Sequence, residues 1–304
     1  MKQTLPPAIF FGSGPVAAAS LQKLLKWQPI LTVVTKHIPP HHKEVAPVSQ
    51  VAQANDLPLL YANTKAELDM LELPTVDYGI VIDYGVIISA QTISRFPLGI
   101  INSHFSLLPE WRGADPITYA ILSGQQTTGV SVMLINSGMD TGPLLATIDV
   151  KITPAETGVS LTSKLIQASD DILQATLPGY VACKLHPYDQ PSHIIATYSQ
   201  KLRKQDGILQ PTRTASELAR QVRAFSGWPN SRLQCGDAWL TIINAEPSDI
   251  VVPLDELVVH NKQLHYGCAL GSLRITQLQP AGKKIMDAAA FINGYAQKLS
   301  ITIL

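Results

Sequence analysis

Apolar residues at positions 8–11 run into Gly12-Ser13-Gly14, a helix-compatible stretch follows at 16–25, and a second apolar run occupies 30–34. This order predicts a β-α-β opening. Further β-branched runs at 77–82, 99–102 and 129–135 close in polar or glycine-bearing loops, with helix-compatible stretches such as 117–123 between them. Strands alternating with helices imply a mostly parallel sheet covered on both faces, with ligands outside the carboxyl ends of its strands. Leu161, Leu165, Ile166, Ala168, Ile172 and Leu173 fall at helical spacing, so a helix is expected from 160 to 177, stopped by Pro178-Gly179.

The pattern then changes. A polar, proline-bearing stretch with Pro187, Asp189, Pro191 and Ser192 reads as a linker. One helix at 215–225 precedes short strand-like segments at 239–243, 257–259, 263–266 and 273–278. These predict a smaller β-rich domain, a barrel. The expected division is a first domain at 1–185, a linker at 186–204 and a second domain at 205–304.

A chain of 304 residues with 46% hydrophobic and 15% charged residues can bury a real core, which excludes disordered and fibrous classes. Lys plus Arg and Asp plus Glu both number 23, so a polyanion partner has to be held by a local patch. Three widely spaced cysteines support neither a disulfide framework nor a zinc site and point to a reducing compartment. No apolar run approaches the roughly 18 residues of a membrane span, so a cytoplasmic protein with no membrane partner is expected; a monomer is expected too, although no feature of the sequence argues for that state.

Gly12-Ser13-Gly14-Pro15-Val16-Ala17 fits a dinucleotide fingerprint, but Thr35-Lys36-His37 stands where a ribose-binding carboxylate belongs. A tight turn, or a phosphate contact at the helix start, is the expectation. Asn102 and His104 lie two apart at the end of a buried run, so an extended backbone sends both side chains to one side. An amide can stabilise an oxyanion and a histidine can move a proton. The same spacing also allows Asn102 to cap a turn and His104 to satisfy a buried carbonyl. Leu107, Leu108, Pro109, Gly113 and Pro116 suggest a rigid loop walling a pocket. Asp140 follows the 129–135 run in a glycine-flanked loop, expected at the same sheet edge, and would complete a carboxylate, imidazole and amide group able to activate an amine. His37, His41 and His42 lack the company of a metal site. Lys201, Arg203 and Lys204, with Lys283-Lys284, could form a track for a phosphate backbone or simply solvated faces.

Asn102-x-His104, Ser106-Leu107-Leu108-Pro109, Arg112-Gly113 and Asp140-Thr141-Gly142 together resemble the family of formyltransferases that use 10-formyltetrahydrofolate. The stretches 196–202, 223–229 and 278–284 are similar to members of that family that act on tRNA, so the resemblance spans nearly the whole chain. It implies a Rossmann-like catalytic domain, a linker and an OB-like β-barrel that helps hold tRNA. The same resemblance implies Asn102, His104 and Asp140 as the catalytic group. It implies Ser106, Leu107, Leu108 and Pro109, with Tyr84 and Gly85 flanking the pterin, as the folate site, and no metal. Initiator methionyl-tRNA would be the acceptor, contacted through Lys36, Lys43, Lys201, Arg203 and Lys204; a sugar-nucleotide acceptor and a silent RNA-binding relative are the alternatives. Three features depart from the family pattern. The loop after the second strand reads Lys36-His37-Ile38-Pro39-Pro40-His41-His42-Lys43-Glu44 instead of an Asp-Arg-Pro and Gly-Arg type sequence. Asp83 precedes Tyr84-Gly85 where a small residue is common. The first turn is Gly12-Ser13-Gly14-Pro15 rather than Gly-Thr-Pro.

Overall fold

The computed structural model describes residues 5–37, 46–299 and 301–303. His41, His42 and Lys43 lie outside the described residues. The chain divides into two compact units, each with its own sheet.

The first unit takes the residues up to Pro116, with Thr127–Lys151 and Thr162–Gln200. Its opening is the expected one: β1 (Ala8–Phe11), α1 (Pro15–Leu24) and β2 (Ile30–Thr35). Every residue of β1 is buried, as a strand covered on both faces requires. The chain continues through α2 (Pro47–Ala54), β3 (Leu59–Tyr61), α3 (Lys65–Met70), β4 (Gly79–Val81), α4 (Ala90–Ile93) and β5 (Ile100–His104). The short β6 (Arg112–Gly113) follows and, after α5 (Pro116–Ser123), which apart from its first residue belongs to the second unit, come β7 (Thr127–Leu134) and β8 (Leu144–Lys151). The sheet order is β3-β2-β1-β4-β5-β7-β8. The first five strands are parallel, whereas β7 and β8 form an antiparallel hairpin against β5. The sheet is thus mostly parallel with an antiparallel edge.

Helix α6 (Gly158–Val181) runs one turn beyond the stop expected at Pro178-Gly179. Proline removes one backbone donor, but tertiary contacts hold the last turn: Leu177 and Tyr180 are buried and the Tyr180 hydroxyl donates to Leu98 O at 2.7 Å. The two-residue strand β9 (Tyr198–Ser199) then pairs with β6 in a separate small sheet. The polar 186–204 stretch is therefore structured in part.

The second unit holds residues from Lys201 onward together with Ile117–Gln126 and Ile152–Leu161. After a 3-10 turn at Lys204–Gly207 comes α7 (Ala215–Ala224), whose N-terminus is closed by the reciprocal Thr214 and Glu217 capping box. The strands are β10 (Ser231–Cys235), β11 (Ala238–Ser248), β12 (Leu257–His260), β13 (Gln263–Gly267), β14 (Ser272–Pro280), β15 (Met286–Asp287) and, after α8 (Ala288–Tyr295), β16 (Thr302–Ile303). Their order is β10-β11-β14-β13-β12-β16, antiparallel except for β12 with β16, and β15 adds to β14. Core positions on β11 change parity, from Leu240 and Ile242 to Ala245, where the register with β14 shifts at Asn244. A bulge there bends both strands and curls the sheet around Leu264, Leu273, Ile275, Leu278 and Phe291.

Candidate active site

Strand β5 carries the first two groups of the site. Ser103 points toward α6, its Oγ 2.6 Å from Ser169 Oγ, so Asn102 and His104 leave on the opposite face, with Cα atoms about 6.6 Å apart. Asn102 is half-buried and His104 is 7% exposed. His104 Nε2 lies 3.0 Å from the carbonyl oxygen of Trp111. A carbonyl only accepts, so Nε2 carries a hydrogen, and in the neutral ring Nδ1 is the nitrogen left free to take a proton. His104 therefore does engage a main-chain carbonyl, a part-buried one, and that bond orients the ring.

Nδ1 faces Asp140 Oδ1 across 3.8 Å. Because β7 runs antiparallel, the loop after it starts beside Ile100 and Ile101, at the beginning of β5 and not at its end. The Asn136–Gly142 segment has to return along β5 to reach His104. Asp140 arrives in left-handed backbone at φ +50°. Its Oδ2 accepts from Gly113 N–H at 2.8 Å, which leaves Oδ1 for the histidine. Asn136 Oδ1 holds the turn by accepting from Gly138 N–H and the Thr141 hydroxyl.

The 106–113 loop is built largely from its own backbone. Ser131 Oγ donates to Ser106 O at 2.7 Å and accepts from Leu108 N–H at 2.9 Å, while Ser106 Oγ donates to Glu110 O. Leu108 packs with Met133 and Leu144, and Leu107 lies against Gly129, where any Cβ would meet it at 2.5 Å. The side chains of Ser106 and Leu108, and Pro109, are buried within the protein.

At the point where the sheet order reverses, between β1 and β4, the first turn is laced to the 83–85 loop: Ser13 N–H donates to Asp83 O and Ser13 Oγ to Tyr84 O. The Asp83 carboxyl receives the Ala17 N–H and fills the start of α1. A Cβ on Gly14 would stand 2.1 Å from its Oδ2. The helix start, where a tight turn or a phosphate contact was expected, is thus filled by the chain's own carboxyl group. Although Asp83 keeps an exposed surface, crowding of its carboxyl by the two loops pushes its pKa up to about 6; Ala17 N–H opposes the shift, Asp115 reinforces it and Lys36 opposes it. Tyr84 is buried, its hydroxyl donating to Ala62 O, and desolvation raises its pKa. Lys36 Nζ donates to Gly85 O at 2.9 Å, so that ammonium is engaged on the same loop. His37 stacks on Tyr61, and no group of three potential metal ligands occurs among the described residues.

With this geometry established, comparison with known proteins decides the lineage. A "Formyl transferase" family model matches residues 8–177 and a "Formyl transferase, C-terminal domain" model matches residues 201–296. The chain belongs to the formyltransferase family. As a member of that family it is 32% identical to the methionyl-tRNA formyltransferase of Nitrosococcus oceani, over 98% of this chain and 96% of that protein. It is 33% identical to the methionyl-tRNA formyltransferase of Myxococcus xanthus, over 95% of each. Among solved structures, the N-formyltransferase from Helicobacter canadensis, in complex with folinic acid and dTDP-3-aminofucose, is similar with TM-score 0.67 at 16% identity, covering 90% of this chain and 99% of that one. That likeness speaks to fold alone.

In this formyltransferase, the structure brings His104 and Asp140 together with Asn102 on the same face of β5. Lys201, Arg203 and Lys204 are exposed in the second unit; Arg203 pairs with Asp206 at 3.6 Å. Arg223 donates to Glu156 O, and desolvation lowers its pKa. No helix among the described residues is long and apolar enough to cross a membrane. Sequence reasoning missed Gln190, which bonds the Asp140 loop, because a polar side chain in a proline-bearing linker carries no periodic or motif signal. The donor role of Gly113 was also missed, although the Arg112-Gly113 pair gave a hint.

Proposed function

We propose that this chain transfers the formyl group of 10-formyltetrahydrofolate to the α-amine of initiator methionyl-tRNA. The neutral amine attacks the formyl carbon and an oxyanion forms on the formyl oxygen. Asn102, on the same strand face as His104, donates its amide to that oxygen. His104 Nδ1 takes the proton from the attacking nitrogen, and the Asp140 carboxylate stabilises the imidazolium. The oxyanion then collapses, the carbon–N10 bond breaks, the His104 imidazolium returns its proton to N10 and tetrahydrofolate leaves. Ser106, Leu107, Leu108 and Pro109, with Tyr84 and Gly85, line the folate site; the Ser106 and Tyr84 hydroxyls already donate within the protein, so they shape that site rather than donate to the folate. Lys201, Arg203 and Lys204 contact tRNA phosphates.

The observation that carries this reading is the pairing of His104 Nδ1 with Asp140 Oδ1, in a chain whose full-length relatives bear the name methionyl-tRNA formyltransferase. The test incubates purified protein with 10-formyltetrahydrofolate and either methionyl-initiator tRNA or an amino-sugar nucleotide, and detects product by mass spectrometry. Formylmethionyl-tRNA is expected. Product on the sugar alone, or RNA binding without turnover, overturns the reading.

A further inference from the structure

Gln190 lies between the two stretches matched by the family models. Its Nε2 donates to two main-chain carbonyls of the site loop, Asp140 O at 2.7 Å and Gly142 O at 3.0 Å. Its Oε1 accepts from Arg112 Nη2 at 2.6 Å. One carboxamide therefore ties together the loop that carries Asp140 and the segment that carries Gly113. Asp140 adopts left-handed backbone, which Asp tolerates better than most residues with a Cβ but which is still a minority conformation, so hydrogen bonds to the loop help to select it. The two carbonyls that Gln190 grips belong to Asp140 itself and to Gly142, on either side of Thr141, so the bonds bracket the turn that carries the Asp140 side chain.

The second anchor of Asp140 is also supplied from this stretch. Gly113, which donates to Oδ2, is paired through β6 with Tyr198–Ser199. Trp111 N–H donates to Thr197 Oγ1, and Arg112 N–H to Thr197 O. The orientation of the carboxylate thus depends on residues 190 to 199, a region that composition marks as a tether.

We propose that Gln190 is a positioning residue for Asp140: it fixes the loop so that Oδ1 faces His104 Nδ1. The proposal rests on the role given to Asp140 above. Gln190 does not touch His104 or the reacting atoms; it acts through the loop. Its loss lets the Asp140 turn relax, which weakens the transition state while leaving the folate and tRNA sites intact.

The test uses the full chain with Gln190→Ala and Gln190→Glu. Glutamate keeps the acceptor for Arg112, strengthened by charge, but has no donor for the two carbonyls. Both variants are expected to lower kcat by about 10- to 100-fold, the scale of an angstrom-level misplacement, with both KM values within about twofold. In an Asp140→Asn background, Gln190→Ala should cost nothing further. Wild-type kcat in Gln190→Glu, or a full additional loss in the double variant, overturns the proposal. A readout free of turnover is hydrogen exchange at the Gly113 amide, followed by NMR: it should quicken in both variants at unchanged Tm, and unchanged exchange overturns the proposal. A wild-type protein that formylates no methionyl-tRNA sinks the assigned reaction instead and leaves the amide measurement to decide the role of Gln190.

Discussion

His104 Nδ1 stands 3.8 Å from Asp140 Oδ1, beyond hydrogen-bond reach but within strong electrostatic reach. The other nitrogen is held by Trp111 O, so the ring cannot turn to offer a different atom without losing that bond. Such a pair is set to stabilise an imidazolium once it forms, rather than to share a proton at rest. Asp140→Asn keeps an acceptor for Gly113 and removes the charge. It should lower kcat by about 10²- to 10⁴-fold, the range of general acid–base contributions, with KM for the folate retained. Asn102→Ala should cost about 10²- to 10³-fold, as loss of an oxyanion donor does. Stopped-flow or discontinuous assays on folded variants check both; near-normal turnover in either removes that residue from the mechanism.

Gly113 shows how narrowly the donor to Asp140 is built. At φ +115°, a Cβ added there would stand 2.3 Å from Ser199 O. Neither a side-chain rotation nor a small shift relieves a contact with paired backbone, so Gly113→Ala has to open the β6–β9 pair. The expected result is a kcat loss on the scale of Gln190→Ala together with a lowered Tm. Gly282→Ala is the control: φ is +71° with nothing within 4 Å, so only backbone strain is added. That change should cost about 1 kcal/mol of stability and leave turnover alone. Equal turnover in the two variants would sink the argument.

Asp83 offers a pH dependence with a definite sign. Its carboxyl is raised from 3.8 to about 6, so between those values the folded chain keeps a proton that the unfolded chain has released. The stability this proton contributes is complete below about pH 4 and is lost as pH rises through 6. Asp83→Asn keeps a neutral acceptor for Ala17 at every pH. The difference in Tm, variant minus wild type, should therefore rise from pH 4 to pH 7, modestly because solvent still reaches the residue. A flat difference would show that the carboxyl is not perturbed.

How far the sequence reveals this protein depends on whether a residue's partners are near it in sequence. Asn102-x-His104 is legible because strand alternation alone sends both side chains to one face, and the β-α-β opening because its periodicities switch cleanly. Asp140 is legible as a residue but not as a route: its loop was expected at the carboxyl edge, whereas the antiparallel β7 starts that loop at the other end of β5. Pro178 misleads for the opposite reason, since the burial of Leu177 and Tyr180 outweighs a local breaker. Gln190 and the Asp83 cap act on backbone groups 48 to 50 and 66 residues away, and no local pattern encodes such contacts.

The basic cluster at the start of the second unit makes a quantitative prediction about salt. Lys201, Arg203 and Lys204 are exposed, but Arg203 also answers to Asp206, at 3.6 Å from its guanidinium. A cation already paired releases less than one counterion when it meets a phosphate. Each free phosphate contact contributes about 0.7 to 0.9 to the slope of log affinity against log salt. The triple alanine variant should therefore flatten the slope for tRNA by nearer about 2 than 3. Lys201→Ala and Lys204→Ala should each remove close to a full contact, while Arg203→Ala removes less. Asp206→Asn frees the guanidinium and should steepen the slope. Filter binding or fluorescence titration across a salt series measures all of these. A triple variant with the wild-type slope would return the cluster to an ordinary solvated surface, and a shallower slope in Asp206→Asn would mean that the carboxylate serves the RNA contact rather than competing with it.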